Sequence, residues 1–340
     1  MRETGVLGVT RASRVRRWAR RVLVSVCGAL FVLAPAELVA RRLLRGHPPI
    51  EDVRNRLYRY DARLGWFPLE RSGGFLTVNV RIFARHNSQG FRDREHGVKT
   101  KPRIAFLGDS YVWGYDVDER QRFTELVQAR LPSREIVNLG VSGYGNDQEY
   151  LLLRDRFDTF SPDLVFIVFC ADNDHWNNDS NNVYEGYFKP YFLVENGALA
   201  LRGVPVPRSV NYVRTSLPWL FRSAVSRILT TAVLRAVQPR AIRVPDPTNT
   251  ILAEIRQFVE RRGARFAVGM QDDDAGVSEF LSRSGIPWVS LSNPNRFPGK
   301  GHWTPAGHVV VAERIVAFLR KEGLVQDEEP TSPAGEGAGR

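Results

Sequence analysis

The chain has 340 residues, 43% of them hydrophobic, with a formal charge of +11. That length and apolar content exclude a disordered or disulfide-stapled class and suffice for one large domain or two modest ones. The charge reads first as a nucleic-acid signal. Residues 1–45, however, carry ten arginines against Glu3 and Glu37, which is eight of the eleven surplus charges. The rest is ordinary for a globular domain, so no nucleic-acid partner is expected.

Residues 1–21 form a basic leader containing Arg14, Arg16, Arg17, Arg20 and Arg21. An apolar run then spans Val22 to Ala36, and counted on to Ala40 the segment 22–40 is just long enough to cross a bilayer as a helix. The arginine-rich end predicts a cytoplasmic start, which places everything after the segment outside, in the periplasm or extracellular space. An uncleaved signal anchor is the first expectation. A signal peptide cleaved after Ala36 is the alternative, because Ala34-Pro35-Ala36 has the small-x-small form. Residues 41–100 read as a linker and N-terminal extension. The cysteines, Cys27 and Cys170, build neither a disulfide framework nor a metal site, and the histidines are scattered. No cofactor and no metal are expected.

From residue 101 to 322 short apolar strands alternate with amphipathic helices, the pattern of a parallel sheet covered on both faces. A strand is predicted over Ile104–Leu107, a helix from Phe123 to the stop at Pro132, and a strand over Ile136–Val141. Asn146 is expected to cap the next helix, with Glu149 completing a capping box, and that helix ends before Pro162. Leu164–Cys170 is apolar enough for a central strand. An insertion of about 175–247 then breaks the rhythm. It holds a hairpin around Glu195-Asn196-Gly197 and one or two amphipathic helices over Leu217–Val237, and it reads as a lid or as a helix pair that only packs on the sheet. The alternation resumes with a helix over Thr250–Arg262, a strand over Phe266–Met270, a helix near Val277–Ser284 and a strand over Trp288–Leu291. Thr304 caps a last helix that has Pro305 at its first position and runs to about Lys321. The tail 323–340, rich in Glu, Pro and Gly from Asp327, is expected to be disordered.

Binding crevices of open parallel sheets lie beyond the C-terminal ends of the strands. Four polar segments fall there: Gly108-Asp109-Ser110, Gly140 to Gly145, Asp172-Asn173-Asp174 and Gly301-His302-Trp303-Thr304. A hydroxyl, an imidazole and amide donors are what acyl transfer requires. In this order the segments resemble the four blocks of the GDSL, or SGNH, hydrolase superfamily, and Asn87-Ser88-Gln89-Gly90-Phe91-Arg92-Asp93 is similar to a segment found upstream of the serine strand in its membrane-anchored bacterial branch. The resemblance implies a three-layer α/β/α, flavodoxin-like fold with a parallel central sheet. It implies Ser110 as nucleophile, His302 as base, and an oxyanion hole formed by the backbone N–H groups of Ser110 and Gly143 and the side-chain amide of Asn173.

The chain departs from the family where an aspartate precedes the histidine by two or three residues. Those positions are Lys300 and Gly299. Asp272, Asp273 and Asp274, at the exit of a predicted strand, are the alternatives considered for the acid that orients His302; a Ser–His dyad and a silent site are the others. His175 is a candidate pocket residue, His308 a packing histidine, and Asp109 a residue that bonds within its own turn. Tyr111, Trp113, Tyr144 and Trp303 read either as a sugar-stacking wall or as packing. The function expected is a serine esterase or O-acyltransferase acting on an acylated cell-envelope carbohydrate or lipid. The competing expectation is a catalytically inactive binding or assembly protein of the envelope on the same fold.

Overall fold

The computed structural model describes residues 6–45, 57–184, 186–299 and 301–326. The chain forms two compact units, one built from Asp52–Tyr212 with Pro239–Arg340 and the other from the N-terminal residues to Glu51 with Val213–Gln238.

The larger unit is organised by five strands: β1 (Arg103–Gly108), β2 (Glu135–Asn138), β3 (Leu164–Phe169), β4 (Arg265–Met270) and β5 (Trp288–Ser290). Their spatial order is β5-β4-β3-β1-β2 and every pairing is parallel. In β3 all six residues are buried, because both faces are covered and alternate side chains feed two different cores. Val165, Ile167 and Phe169 pack with Leu151, Ile255 and Leu281 on one face; Leu164, Phe166 and Val168 pack with Phe123, Val127 and Ile315 on the other. Truncating one such fully buried side chain to alanine costs about 2–5 kcal/mol.

The covering helices, in chain order, follow those contacts. After α1 (Val6–Leu43) of the other unit come the short α2 (Ser110–Trp113), α3 (Phe123–Arg130), α4 (Asn146–Phe160) and α5 (Asp174–Asn178). They are followed by α6 (Ala224–Val237), α7 (Thr248–Arg261), α8 (Ala275–Arg283) and α9 (Pro305–Lys321). Helices α4, α7 and α8 cover one face of the sheet, and α3 and α9 the other. The parallel sheet covered on both faces that the alternation predicts, and the three-layer α/β/α fold that the resemblance implies, are observed. Thr304 caps α9 by accepting from the Gly307 N–H at 3.2 Å, with Pro305 at the first helical position.

Three local expectations need correction. The second strand stops at Asn138 instead of Val141, because the Asn138 side chain accepts the Gly140 N–H and turns the chain. Asn146 is the first residue of α4 and not its cap; its amide donates to Glu149 Oε2 at 3.0 Å and to Asp174 Oδ2 at 3.1 Å, so Glu149 is drawn into the interior. Within 41–100, residues 57–97 are folded structure. They form two hairpins, Tyr58–Asp61 with Gly65–Pro68 and Gly73–Thr77 with Arg81–Arg85, and they send Trp66, Phe67 and Phe91 into the core. The tail from Asp327 lies outside the described residues.

The expected insertion is divided between the units. Its hairpin, Tyr191–Glu195 with Ala198–Arg202, belongs to the larger one and turns through Asn196 and Gly197, at φ 51° and 80°. Two successive positive φ values are what a two-residue hairpin loop matched to strand twist needs. In the smaller unit α6 packs beside α1. The Glu37 carboxylate of α1 accepts the Ala224 N–H at 2.9 Å, the Val225 N–H at 3.1 Å and the Ser223 hydroxyl at 2.7 Å, taking up donors that the first turn of α6 would leave open.

Candidate active site

In the order 2-1-3-4-5 the topological switch lies between β1 and β3, and a crevice opens where their C-terminal ends diverge. Ser110 follows β1 and Asn173 follows β3. Gly108 is required at the end of β1 because a Cβ there would sit 2.3 Å from Val112 Cγ2. Asp109 caps α2 by accepting the Tyr111 N–H at 2.9 Å, which leaves Ser110 at the first helical position with its own N–H unclaimed by the helix.

The Ser110 hydroxyl, in a residue only 8% exposed, donates to His302 Nε2 at 3.0 Å. His302 arrives on the lead-in to α9, pinned by the bonds Phe297 N–H to His302 O, 3.0 Å, and Thr304 N–H to Asn295 O, 3.0 Å, and by the fully buried Trp303. Its ring stacks on Tyr115, with centroids 5.1 Å apart and planes 17° apart, and meets Tyr111 edge-on.

His302 Nδ1 donates to Asp116 Oδ2 at 3.2 Å. A carboxylate only accepts, so this bond places the ring proton on Nδ1 and leaves Nε2 as the acceptor facing Ser110. Asp116 was not foreseen from the sequence. It lies on the loop that leaves α2, at φ 61°, a left-handed conformation that aspartate tolerates better than most residues. Burial acts to raise its carboxyl, but the Asn79 side chain and N–H, the Val80 N–H and His302 outweigh it and hold the group below the usual carboxylate range. The signal for it was an acid six residues past the serine, on the same loop at the crevice edge.

The alternatives Asp272, Asp273 and Asp274 are engaged elsewhere. Asp272 accepts from Ser292 at 2.7 Å and pairs with Arg296; Asp273 accepts from Ser290 at 2.6 Å; Asp274 caps α8 through the Val277 N–H at 2.9 Å and lies 3.1 Å from His175. The chain leaving β4 turns straight into α8 beside the end of β5, so these acids serve a helix N-terminus and neighbouring strand ends. The acid at His302 is Asp116.

Gly143 lies on the turn after β2 and Asn173 on the turn after β3. Gly143 is at φ +82°, beneath the Tyr184 ring, where a Cβ would lie 2.6 Å from Cε2. Asn173 Nδ2 donates to Asp109 Oδ2 at 2.8 Å, the carboxylate of the residue before Ser110, and this bond uses one of its two amide hydrogens. Behind it, Glu149 and Asp174 are wholly buried, and burial pushes both carboxyls well above the usual range.

The Asn87–Asp93 segment braces this arrangement. Buried Arg92 donates to the Trp113, Gly114 and Val117 carbonyls and so holds the loop that carries Ser110 and Asp116. Asp93 accepts the Asn138 N–H at 2.7 Å. His308 is a packing histidine: buried inside α9, it accepts the Phe123 N–H at 3.1 Å, and burial lowers it to about 3. His175 sits between Asp246 and Asp274; the hydrogen bond with Asp246 is the main cause that raises it to about 9. Trp113, Tyr144 and Trp303 are fully buried and Tyr111 nearly so, so they pack and do not form an open wall. A cavity of about 520 Å³ adjoins Asn173 and is lined by Asp172, Trp176, Asn182, Tyr184, Ile242 and Arg243 among others.

A hydroxyl bonded to an imidazole, itself bonded to a buried carboxylate, can pass its proton to Nε2 as the oxygen attacks an electrophile. A family model described as GDSL-like Lipase/Acylhydrolase matches residues 106–310. A comparison with curated proteins found no match. Among solved structures, the chain is similar to TesA (14% identity, 64% of this chain and 98% of that one, TM-score 0.40). It is likewise similar to the esterase EstA from Pseudoalteromonas sp. inhibited by monoethylphosphonate (10% identity, 66% and 100%, TM-score 0.40). A two-domain esterase active on acetylated mannans is similar at 15% identity, over 69% of this chain and 54% of that one, with a TM-score of 0.38.

Proposed function

We propose that this chain, which belongs to the GDSL-like lipase/acylhydrolase family, is a membrane-tethered serine esterase or O-acyltransferase working through Ser110 and His302. The observation that carries the reading is the hydrogen-bonded series Ser110–His302–Asp116 at the switch point of the sheet. Ser110 Oγ attacks the acyl carbonyl and its proton passes to His302 Nε2. Asp116 holds the ring in the required tautomer and stabilises the imidazolium. The Ser110 and Gly143 N–H groups and the Asn173 amide take the charge that develops on the carbonyl oxygen, each such donor being worth about 2.7–4 kcal/mol in the transition state. His302 then returns the proton to the departing alcohol, and the acyl group on Ser110 passes to water or to a second hydroxyl.

The competing reading of a silent binding protein starts from the missing acid at Gly299 and Lys300; the contact of Asp116 with His302 supports the enzyme reading instead. An acylated cell-envelope carbohydrate or lipid is the proposed substrate. The cavity beside Asn173 supports it, with Trp176, 69% exposed, Tyr184, 46% exposed, and Asn182 in its lining. The tether is α1, whose stretch Arg14–Leu43 is long and apolar enough to span a bilayer and is exposed over residues 14–35. The arginine-rich leading end supports a site on the outer side of the membrane, with the helix kept as an anchor or removed after Ala36.

The test is labelling by a fluorophosphonate probe, together with release of acetate from an acetylated polysaccharide. The folded wild type should label and Ser110→Ala should not. Equal labelling of the two proteins, or none of the folded wild type, overturns the proposal.

A further inference from the structure

Helix α6 is amphipathic with its faces reversed. Leu229, Ala232, Val233 and Ala236 follow at spacings of three, one and three, which gathers them on one stripe of the helix. A helix of a water-soluble body turns such a stripe inward. Here Leu229 and Val233 are each 61% exposed and Val237 is 74% exposed, whereas Thr230 and Thr231 on the other side are half-buried. The 3-10 turn before it, Pro218–Phe221, adds Trp219 at 63% exposure.

Charge points the same way. From Val213 to Gln238 the charged residues are Arg214, Arg222, Arg227 and Arg235, with no acid among them. Arg222 and Arg235, near the two ends of the helix, are exposed. The helix is also fixed in height. Glu37, which holds its first turn, lies in the last third of the Arg14–Leu43 stretch, just before Arg41 and Arg42. The end of α1 that leaves the bilayer is therefore the end to which α6 is tied.

We propose that α6, with Trp219, lies in the interface of a phospholipid bilayer, its Leu229–Val233–Val237 side in the acyl boundary and the exposed Arg222 and Arg235 on the phosphates of anionic headgroups. This rests on the reading of α1 as a membrane anchor. Glu37 acts as the clamp that sets the helix at the surface, so the membrane is held at two places: a span and a plane.

The test uses the full chain in vesicles of phosphatidylcholine and phosphatidylglycerol with brominated acyl chains, which quench a fluorophore on contact. Cys170 is fully buried, so native Cys27 takes the label in the wild type and reports on α1. Val233→Cys in a Cys27→Ser background reports on α6, and Arg283→Cys on exposed α8 in the same background is the control. Quenching at Cys27 and at position 233, with none at 283, is expected. The position-233 quenching should fall at least twofold when phosphatidylglycerol is omitted and again in Glu37→Ala. Quenching at Cys27 without quenching at 233 overturns the interfacial helix and leaves the anchor standing; no quenching at either overturns both. A label at 233 shielded from aqueous iodide but untouched by brominated lipid points to a protein on this face and overturns the proposal. Unchanged quenching in Glu37→Ala overturns the clamp.

Discussion

His302 Nδ1 lies 3.2 Å from Asp116 Oδ2, a bond between residues 186 positions apart, with Asp116 following Ser110 on a single loop. The acid reaches the imidazole from the serine's side of the crevice and not from the histidine's own lead-in.

Asp116→Asn should therefore lower kcat on a short-chain aryl ester by about 10³–10⁴, because the amide can donate to Nδ1 and favour the wrong tautomer. Asp273→Asn, whose carboxylate serves Ser290, should stay within about twofold of wild type. Steady-state kinetics of the two variants settle the assignment; the reverse pattern would return the role to the acids after β4.

Asn79 holds both oxygens of Asp116, by its N–H to Oδ1 and its side chain to Oδ2, each at 2.8 Å. Asn79→Ala leaves the backbone bond and removes the one beside His302. We expect kcat to fall about tenfold with KM little changed, and stability to fall by about 1 kcal/mol. An unaltered kcat would show that the backbone bonds suffice to aim the carboxylate.

Gly143→Ala forces a methyl against Tyr184 and strains a residue at φ +82°. Loss of the donor geometry should cost about 10²–10³ in kcat/KM. The double variant with Tyr184→Ala removes the clash and should recover part of the loss. If Gly143→Ala alone is fully active, its N–H is not an oxyanion donor.

Glu149 supplies a pH-dependent prediction. Its folded carboxyl is pushed well above the usual value by burial, so the folded state stays protonated while the unfolded chain ionises above about pH 4.3. The unfolded state then binds fewer protons, and this group withdraws stability as pH rises from there toward the folded pKa. Glu149→Gln keeps the shape and removes the titration. Its melting temperature relative to wild type should rise between pH 5 and pH 8; a difference flat with pH would sink this account.

Much of this molecule was legible in the sequence because its signals are local. The buried run Leu164–Phe169, the cap Thr304-Pro305 and the turn Asn196-Gly197 each state their structure within a few residues. Ser110, His302, Gly143 and Asn173 were named through the resemblance to four family blocks, and the structure brings Ser110 and His302 within hydrogen-bond distance. Asp116 was missed because its role depends on a bend at φ 61° and on partners, Asn79 and Val80, brought in by a hairpin that reads locally as a linker. The reversed faces of α6 were hidden for a related reason: periodicity shows that a helix has an apolar side, not which solvent that side meets.

Because Ser110 and Asp116 share one braced loop, the proposed triad has two parts and not three. Two of its side chains are placed by the Arg92-braced segment 110–117, and the lead-in to α9 supplies the third. A chain interrupted near residue 300 would lose, with the imidazole, the α9 side chains Val311, Ile315 and Leu319 that pack in one core with Tyr111 and Val112 of α2.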